Sequence, residues 1–90
     1  MLGYSVPPPQ SIVNFLGYNN LSGKLYDKAY SFFKMNIDNY PASSNAHDSM
    51  GDFYVEKNDR KKAIASFEKA LSLKEVSETR KKLEKLQEKK

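Results

Sequence analysis

Apolar residues in this chain fall into five groups, each at helical spacing, with proline, glycine or Asn-Asp between most of them. After Pro9, the positions Ile12, Val13, Phe15, Leu16 and Leu21 predict a helix from about Gln10 to Ser22, closed by Gly23. Leu25, Tyr26, Ala29, Tyr30, Phe32, Phe33, Met35 and Ile37 predict a second amphipathic helix ending near Tyr40. Pro41 stops it, because proline disfavours helical geometry in the residue before it. Ser43 or Ser44 is expected to cap a third helix with Ala46, Met50, Phe53, Tyr54 and Val55 on its apolar side. Asn58-Asp59 makes the next turn, and Asp59 caps a fourth helix carrying Ala63, Ile64, Phe67, Ala70, Leu71 and Leu73. Ser77 is expected to cap a fifth, whose apolar stripe is thin: Leu83 and Leu86, with Val76. No run alternates β-branched residues, so no sheet is expected.

The pattern repeats with a 34-residue period: Gly17 pairs with Gly51, Ala29 with Ala63, Phe33 with Phe67, Leu16 with Met50 and Tyr30 with Ile64. In the second unit, His47-x-x-Met50-Gly51-x-x-Tyr54, Ala63-x-x-x-Phe67 and Ala70 stand at tetratricopeptide spacing. In the first, Val13-x-x-Leu16-Gly17, Ala29-x-x-x-Phe33 and Pro41 do the same. The chain therefore resembles two tetratricopeptide repeats followed by a capping helix, an all-α solenoid. The boundaries expected are a proline-rich lead-in or interdomain linker over 1–9, repeats over 10–43 and 44–76, and a polar cap over 77–90. Departures from the motif are Val13 and His47 for its tryptophan, Asn20 for its first tyrosine, Asn36 for a small alanine, and Glu75 where Pro41 stands one repeat earlier.

The period also assigns packing roles. Gly17 and Gly51 should remove a side chain where two helices approach, with Ala29 and Ala63 on the opposing surface. Phe33 and Phe67 should plug the gap between hairpins. The first hairpin has no polar cap, so its flank is expected to show Val13, Phe32 and other apolar groups. The Met1–Val6 segment, an upstream domain or a second copy would cover it.

Composition narrows the chemistry. Ninety residues make one small domain. With no cysteine and one histidine, disulfides, thiolate zinc sites and multi-histidine metal centres are excluded. The single imidazole, His47, lies next to Asp48 in sequence, and adjacent helical residues point about 100° apart, so they form no catalytic pair. His47 reads as a packed side chain. No phosphate loop or calcium loop is present, and no cofactor is implied. The start has no charged n-region ahead of an apolar run, and no stretch approaches a membrane span.

The charge is uneven. Residues 1–56 carry three basic and five acidic side chains, and residues 57–90 carry twelve basic and six acidic, within a net +4. Glu78–Lys82 and Arg80–Glu84 are expected to pair one helical turn apart. With no aromatic ring among the late basic residues, nucleic-acid binding through the last helix is a minor alternative.

The resemblance implies a function and a place for it. In tetratricopeptide arrays the first helix of each hairpin lines a groove that takes a peptide or a helix. By that likeness the groove here would present Asn14, Tyr18 and Leu21, flanked by Ser11 and Ser22, from the first unit. The second unit would present Asn45, Asp48, Asp52, Val55 and Glu56, and the last helix Lys82, with Thr79 and Leu86. Asp48, Asp52 and Glu56 lie at i, i+4 and i+8, a row expected to suit a basic or mixed apolar–polar ligand. Reversing Asp48 and Asp52 to lysine is expected to leave folding intact.

The strings Phe15-Leu16-Gly17-Tyr18, Ala29–Ile37 and Tyr40–Asp52 also resemble the repeat tail that follows bacterial α/β-hydrolase esterases and β-lactamase-like serine hydrolases. That likeness implies a non-catalytic accessory domain that binds a peptide, its own catalytic domain or another copy. A small stand-alone adaptor is the other reading.

Overall fold

The computed structural model describes residues 9–88. The Met1–Val6 segment expected to cover the first hairpin lies outside the described residues, as do Pro7, Pro8, Lys89 and Lys90. Among the described residues five helices succeed one another: α1 (Gln10–Ser22), α2 (Tyr26–Asn39), α3 (Ser44–Glu56), α4 (Arg60–Leu73) and α5 (Ser77–Glu88). Among the described residues there is no strand. The helices α1 and α2 form one antiparallel hairpin and α3 and α4 a second, with α5 packed on α4. The architecture is an all-α solenoid of two helix-turn-helix repeats plus a capping helix, an elongated slab of 55 × 29 × 17 Å.

The helix ends follow local chemistry, with two corrections. Ser43 caps α3, its Oγ accepting from the Ala46 N–H at 3.2 Å, and Asp59 caps α4, accepting from the Lys62 N–H at 3.2 Å. Each satisfies one of the orphan donors of a helix start. Gly23 does not use its left-handed freedom: its φ is −83°. The left-handed residue is Lys24, φ 62°, and its counterpart in the second repeat, Asn58, has φ 61°. The N–H groups of Lys24 and Leu25 reach the carbonyls of Leu21 and Asn20, and those of Asn58 and Asp59 reach Val55 and Tyr54, all within 2.9–3.0 Å. This is a Schellman closure made twice at the same register. The second correction concerns Ser77, which is the first residue of α5 and not its cap. The carbonyl one residue earlier, on Val76, accepts from the Arg80 N–H at 3.0 Å.

The core follows the same period as the sequence. A Cβ built on Gly17 would lie 2.4 Å from the Phe33 ring, and one on Gly51 would lie 2.4 Å from the Phe67 ring. Both rings are fully buried, as are Ala29 and Ala63. The glycines thus make room for a phenylalanine of their own hairpin, a more specific role than a general close approach of helices. Phe33 gathers with Leu21, Ala29, Met50 and Phe53, and Phe67 with Ala63 and Leu83. Tyr54 packs against both groups and joins the repeats. Leu16 is half-buried, a lesser core contributor than Met50.

The flank expected to show Val13 does not: Val13 is 1% exposed. Phe32 is half-buried. The side chains of α1 that stand out are Ile12 and Phe15. On α5 neither expected turn-spaced pair forms as drawn. Arg80 makes a two-pronged pair with Glu75 at 2.8 and 3.0 Å, and Lys82 turns towards α3. The Arg80 hydrogen bond and charge hold the Glu75 carboxyl below its ordinary pKa.

Candidate functional site

The first helices of the two hairpins, α1 and α3, share one face with α5, and polar side chains bridge them. Tyr18 donates its phenolic proton to Asp52 Oδ2, and Ser49 donates to Asn14 Oδ1. One repeat on, Lys82 Nζ donates to Asp48 Oδ1 at 2.7 Å and to Asp52 Oδ2 at 3.0 Å, while Thr79 donates to Asp48 Oδ2. Tyr18 and Asp52 are 34 residues apart, as are Asp48 and Lys82. Side chains at the same position of successive units therefore meet across this face. In this register α5 stands where the first helix of a third unit would stand.

Burial sets the electrostatics. The side chains of Asp48 and Asp52 are only 13% and 23% exposed, so the charge Lys82 brings is needed there. Burial of the Lys82 ammonium acts to lower its pKa, but the hydrogen bonds and charges of the two aspartates outweigh it and hold the pKa above its ordinary value. Burial, with the hydrogen bond to Asp52, holds the Tyr18 phenol well above its usual range. The row of acids is thus closed internally at its first two members, and Glu56 is the exposed one. This overturns the expectation that Asp48 and Asp52 can be reversed without cost. Two lysines there would face Lys82 and leave Tyr18 and Thr79 without acceptors.

Two hollows open on this face. One, of about 410 Å³, is bounded by Tyr18, Asn45, Asp48, Thr79 and Lys82, with Ser43, Ser44, Lys74, Val76 and Glu78 at its rim. The other, of about 320 Å³, has Val55, Phe67 and Leu86 as apolar walls and Asp52, Lys82 and Lys85 at its edge. Of the residues expected in a groove, Tyr18, Asn45, Asp48, Asp52, Val55 and Lys82 therefore come together around these hollows. Asn14 lies beside them, held by Ser49, and Glu56 lies exposed at the end of α3. Leu21 is a correction: it is 6% exposed and belongs to the core around Phe33.

The sequence reading missed the contribution of the turn between α4 and α5, through Lys74 and Val76. It also missed the pairing of Lys82 with α3, although adding the period to Asp48 gives Lys82. His47 is half-buried, with Nε2 3.1 Å from the Pro41 carbonyl oxygen. It pins the turn between repeats and touches no carboxylate there. Among the described residues no group of three or more His, Cys, Asp and Glu side chains could hold a metal ion. Among them too, no helix is long and apolar enough to cross a membrane.

Paired hairpins in one register, bridged along one face and ended by a polar helix, define an all-α helical repeat, similar in arrangement to tetratricopeptide arrays. Comparison with protein families agrees over the second hairpin: the tetratricopeptide repeat matches residues 44–76. No curated protein and no solved structure matches the chain. Tetratricopeptide repeats generally mediate protein–protein interaction and are typically non-catalytic.

Proposed function

We infer that this chain is a non-catalytic docking module that lays an extended peptide along the face shared by α1, α3 and α5. The observation that carries the reading is the apolar hollow between α3 and α5. Val55 stays 41% exposed there although it is apolar, and it lines the hollow with half-buried Leu86 and the buried ring of Phe67. An apolar side chain of a ligand can be desolvated in it, while Asn45 and the polar hollow next to it offer hydrogen bonds to the ligand's backbone. Because Lys82 already bridges Asp48 and Asp52, a strongly basic ligand finds these two acids occupied, and the ligand favoured is mixed apolar–polar. Two repeats make a short groove, so a lone peptide binds weakly.

The test is panning of a random peptide library displayed on phage against the full chain. Enrichment of sequences with a shared apolar residue, lost on Val55→Glu and on Leu86→Glu, supports the groove. Enrichment unchanged by both substitutions argues that the face is idle.

Whether the module works alone or behind a catalytic domain turns on its setting. The accessory-domain reading rests on the likeness of Phe15–Tyr18, Ala29–Ile37 and Tyr40–Asp52 to hydrolase tails. A gene that encodes a serine hydrolase immediately ahead of Met1 supports it, and one that does not favours the stand-alone adaptor. The nucleic-acid alternative is weakened by the commitment of Lys82 to Asp48 and Asp52.

A further inference from the structure

The second repeat shows what the first lacks. In α3, Ala46 and Ser49 are both 0% exposed, and Ser49 is bonded to Asn14 of the preceding hairpin. Their counterparts in the first repeat, Ile12 and Phe15, are 51% and 65% exposed. Phe15 is thus a large ring left mostly in water on the end of the stack. The next exposed position on the same side of α1 is Asn19. This end face is separate from the groove, to which α1 gives Asn14 and Tyr18.

Two features select the occupant. Ala46 and Ser49 are small, which lets a helix of the preceding hairpin lie close. Ile12 and Phe15 are large knobs, and they hold off a helix placed in the manner of α2. Second, α1 contains no Asp, Glu, Lys, Arg or His, whereas each of the other four helices carries charged side chains. In a chain of net charge +4, α1 is therefore the place where a second copy can approach without like-charge repulsion. The stack order also puts basic α5 at the far end from α1. A two-fold contact through α1 keeps the two α5 helices apart.

We propose that the outward face of α1 is a self-association surface, on which Ile12 and Phe15 of one copy interdigitate with Ile12 and Phe15 of a second copy about a two-fold axis. Such a contact is isologous, so it closes at two copies. Adjacent exposed apolar groups rimmed by polar side chains are the usual mark of an interaction site. The grooves of both copies stay open in the pair, and a ligand with two binding segments gains from their linkage.

Sedimentation equilibrium of the full chain across about 10 µM to about 1 mM tests this, a range that detects weak pairs. The expected result is a mass rising from 10.3 kDa towards twice that value, without higher species. Phe15→Glu is expected to hold the chain at the monomer mass with its helical circular dichroism retained. Because the chain has no cysteine, one introduced thiol reports the geometry independently of that variant's folding. Asn19→Cys is expected to give a covalent dimer on mild oxidation, and Lys69→Cys, on the exposed side of α4, is not. A chain that stays monomeric throughout the range overturns the proposal, and is the outcome if residues 1–8 or an upstream domain cover this face. A dimer that persists in Phe15→Glu, or equal cross-linking at positions 19 and 69, also overturns it.

Discussion

Asn36 is fully buried, and neither its Nδ2 nor its Oδ1 has a hydrogen-bond partner. Its counterpart one repeat on is Ala70, equally buried, so the fold accepts a small apolar side chain at this position. A buried amide without partners costs roughly 1–3 kcal/mol. Asn36→Ala removes that cost and leaves a small cavity, and is expected to stabilise the chain by about 1 kcal/mol. A lower midpoint in urea would contradict this. At Gly51 the balance runs the other way. Alanine improves helix propensity by about 1 kcal/mol. Its Cβ, however, would lie 2.4 Å from the buried ring of Phe67, and overpacking costs about 1–3 kcal/mol. Gly51→Ala is expected to be destabilising and Gly51→Leu to abolish the cooperative thermal transition. The glycine–phenylalanine register was legible in the sequence, because both residues recur at the repeat period. That Phe33 and Phe67 plug their own hairpins was not, since periodicity gives spacing and not which ring faces which glycine.

The helix ends and the α3–α5 bridge are the matters of the element scale. Lys24 occupies the left-handed closing position of α1, where a β-carbon is strained by roughly 1–2 kcal/mol, while glycine there is strain-free but costs about 0.5–1 kcal/mol in chain entropy. Lys24→Gly is expected to stabilise by about 0.5 kcal/mol, read as a melting temperature higher by roughly 2–4 °C. Sequence reasoning put this role on Gly23, one residue early, because glycine is the usual sign of it. The backbone instead placed the turn where the next repeat has Asn58, a residue that tolerates that geometry.

Between α3 and α5, Lys82→Met leaves Asp48 and Asp52 largely buried without their cation. The expected loss is about 1–2 kcal/mol, moderated because the lysine side chain is 39% exposed. The pKa values of Lys82 and Tyr18 are both raised in the folded chain. The folded state thus keeps protons that the unfolded state gives up. That stabilisation is complete below about pH 10 and is lost as pH rises through the folded values. The melting temperature is expected to fall above about pH 10, less steeply in Tyr18→Phe and in Lys82→Met. Equal slopes in all three proteins would contradict the bridge.

At the scale of the whole molecule, two hairpins are fewer than the roughly three units that usually stand alone, and α5 supplies the missing layer. It buries Leu83 against Phe67 and Ala63, and Thr79 against α3. A chain shortened to residues 1–76 therefore loses a wall of its second core and both partners of Asp48. It is expected to show no cooperative melt. The capping role of α5 could be seen beforehand in its thin apolar stripe and polar outer side. Its bridging role was masked, because helical spacing within α5 offered Glu78 to Lys82, although the 34-residue period already sets Lys82 against Asp48. The same limit applies to the groove: Leu21 has groove spacing but packs inward beside Phe33, and Ile12 and Phe15 gave no sign of being more exposed than Val13.

The fold depends on two like hairpins, each locked by a phenylalanine on a glycine and stacked in one register. Nuclear Overhauser contacts in the full chain test that lock most directly. The account predicts strong contacts from the Gly17 Hα protons to the Phe33 ring and from the Gly51 Hα protons to the Phe67 ring, with ring-current upfield shifts of both glycines. Glycine signals at ordinary shifts, with no contact to either ring, would contradict it.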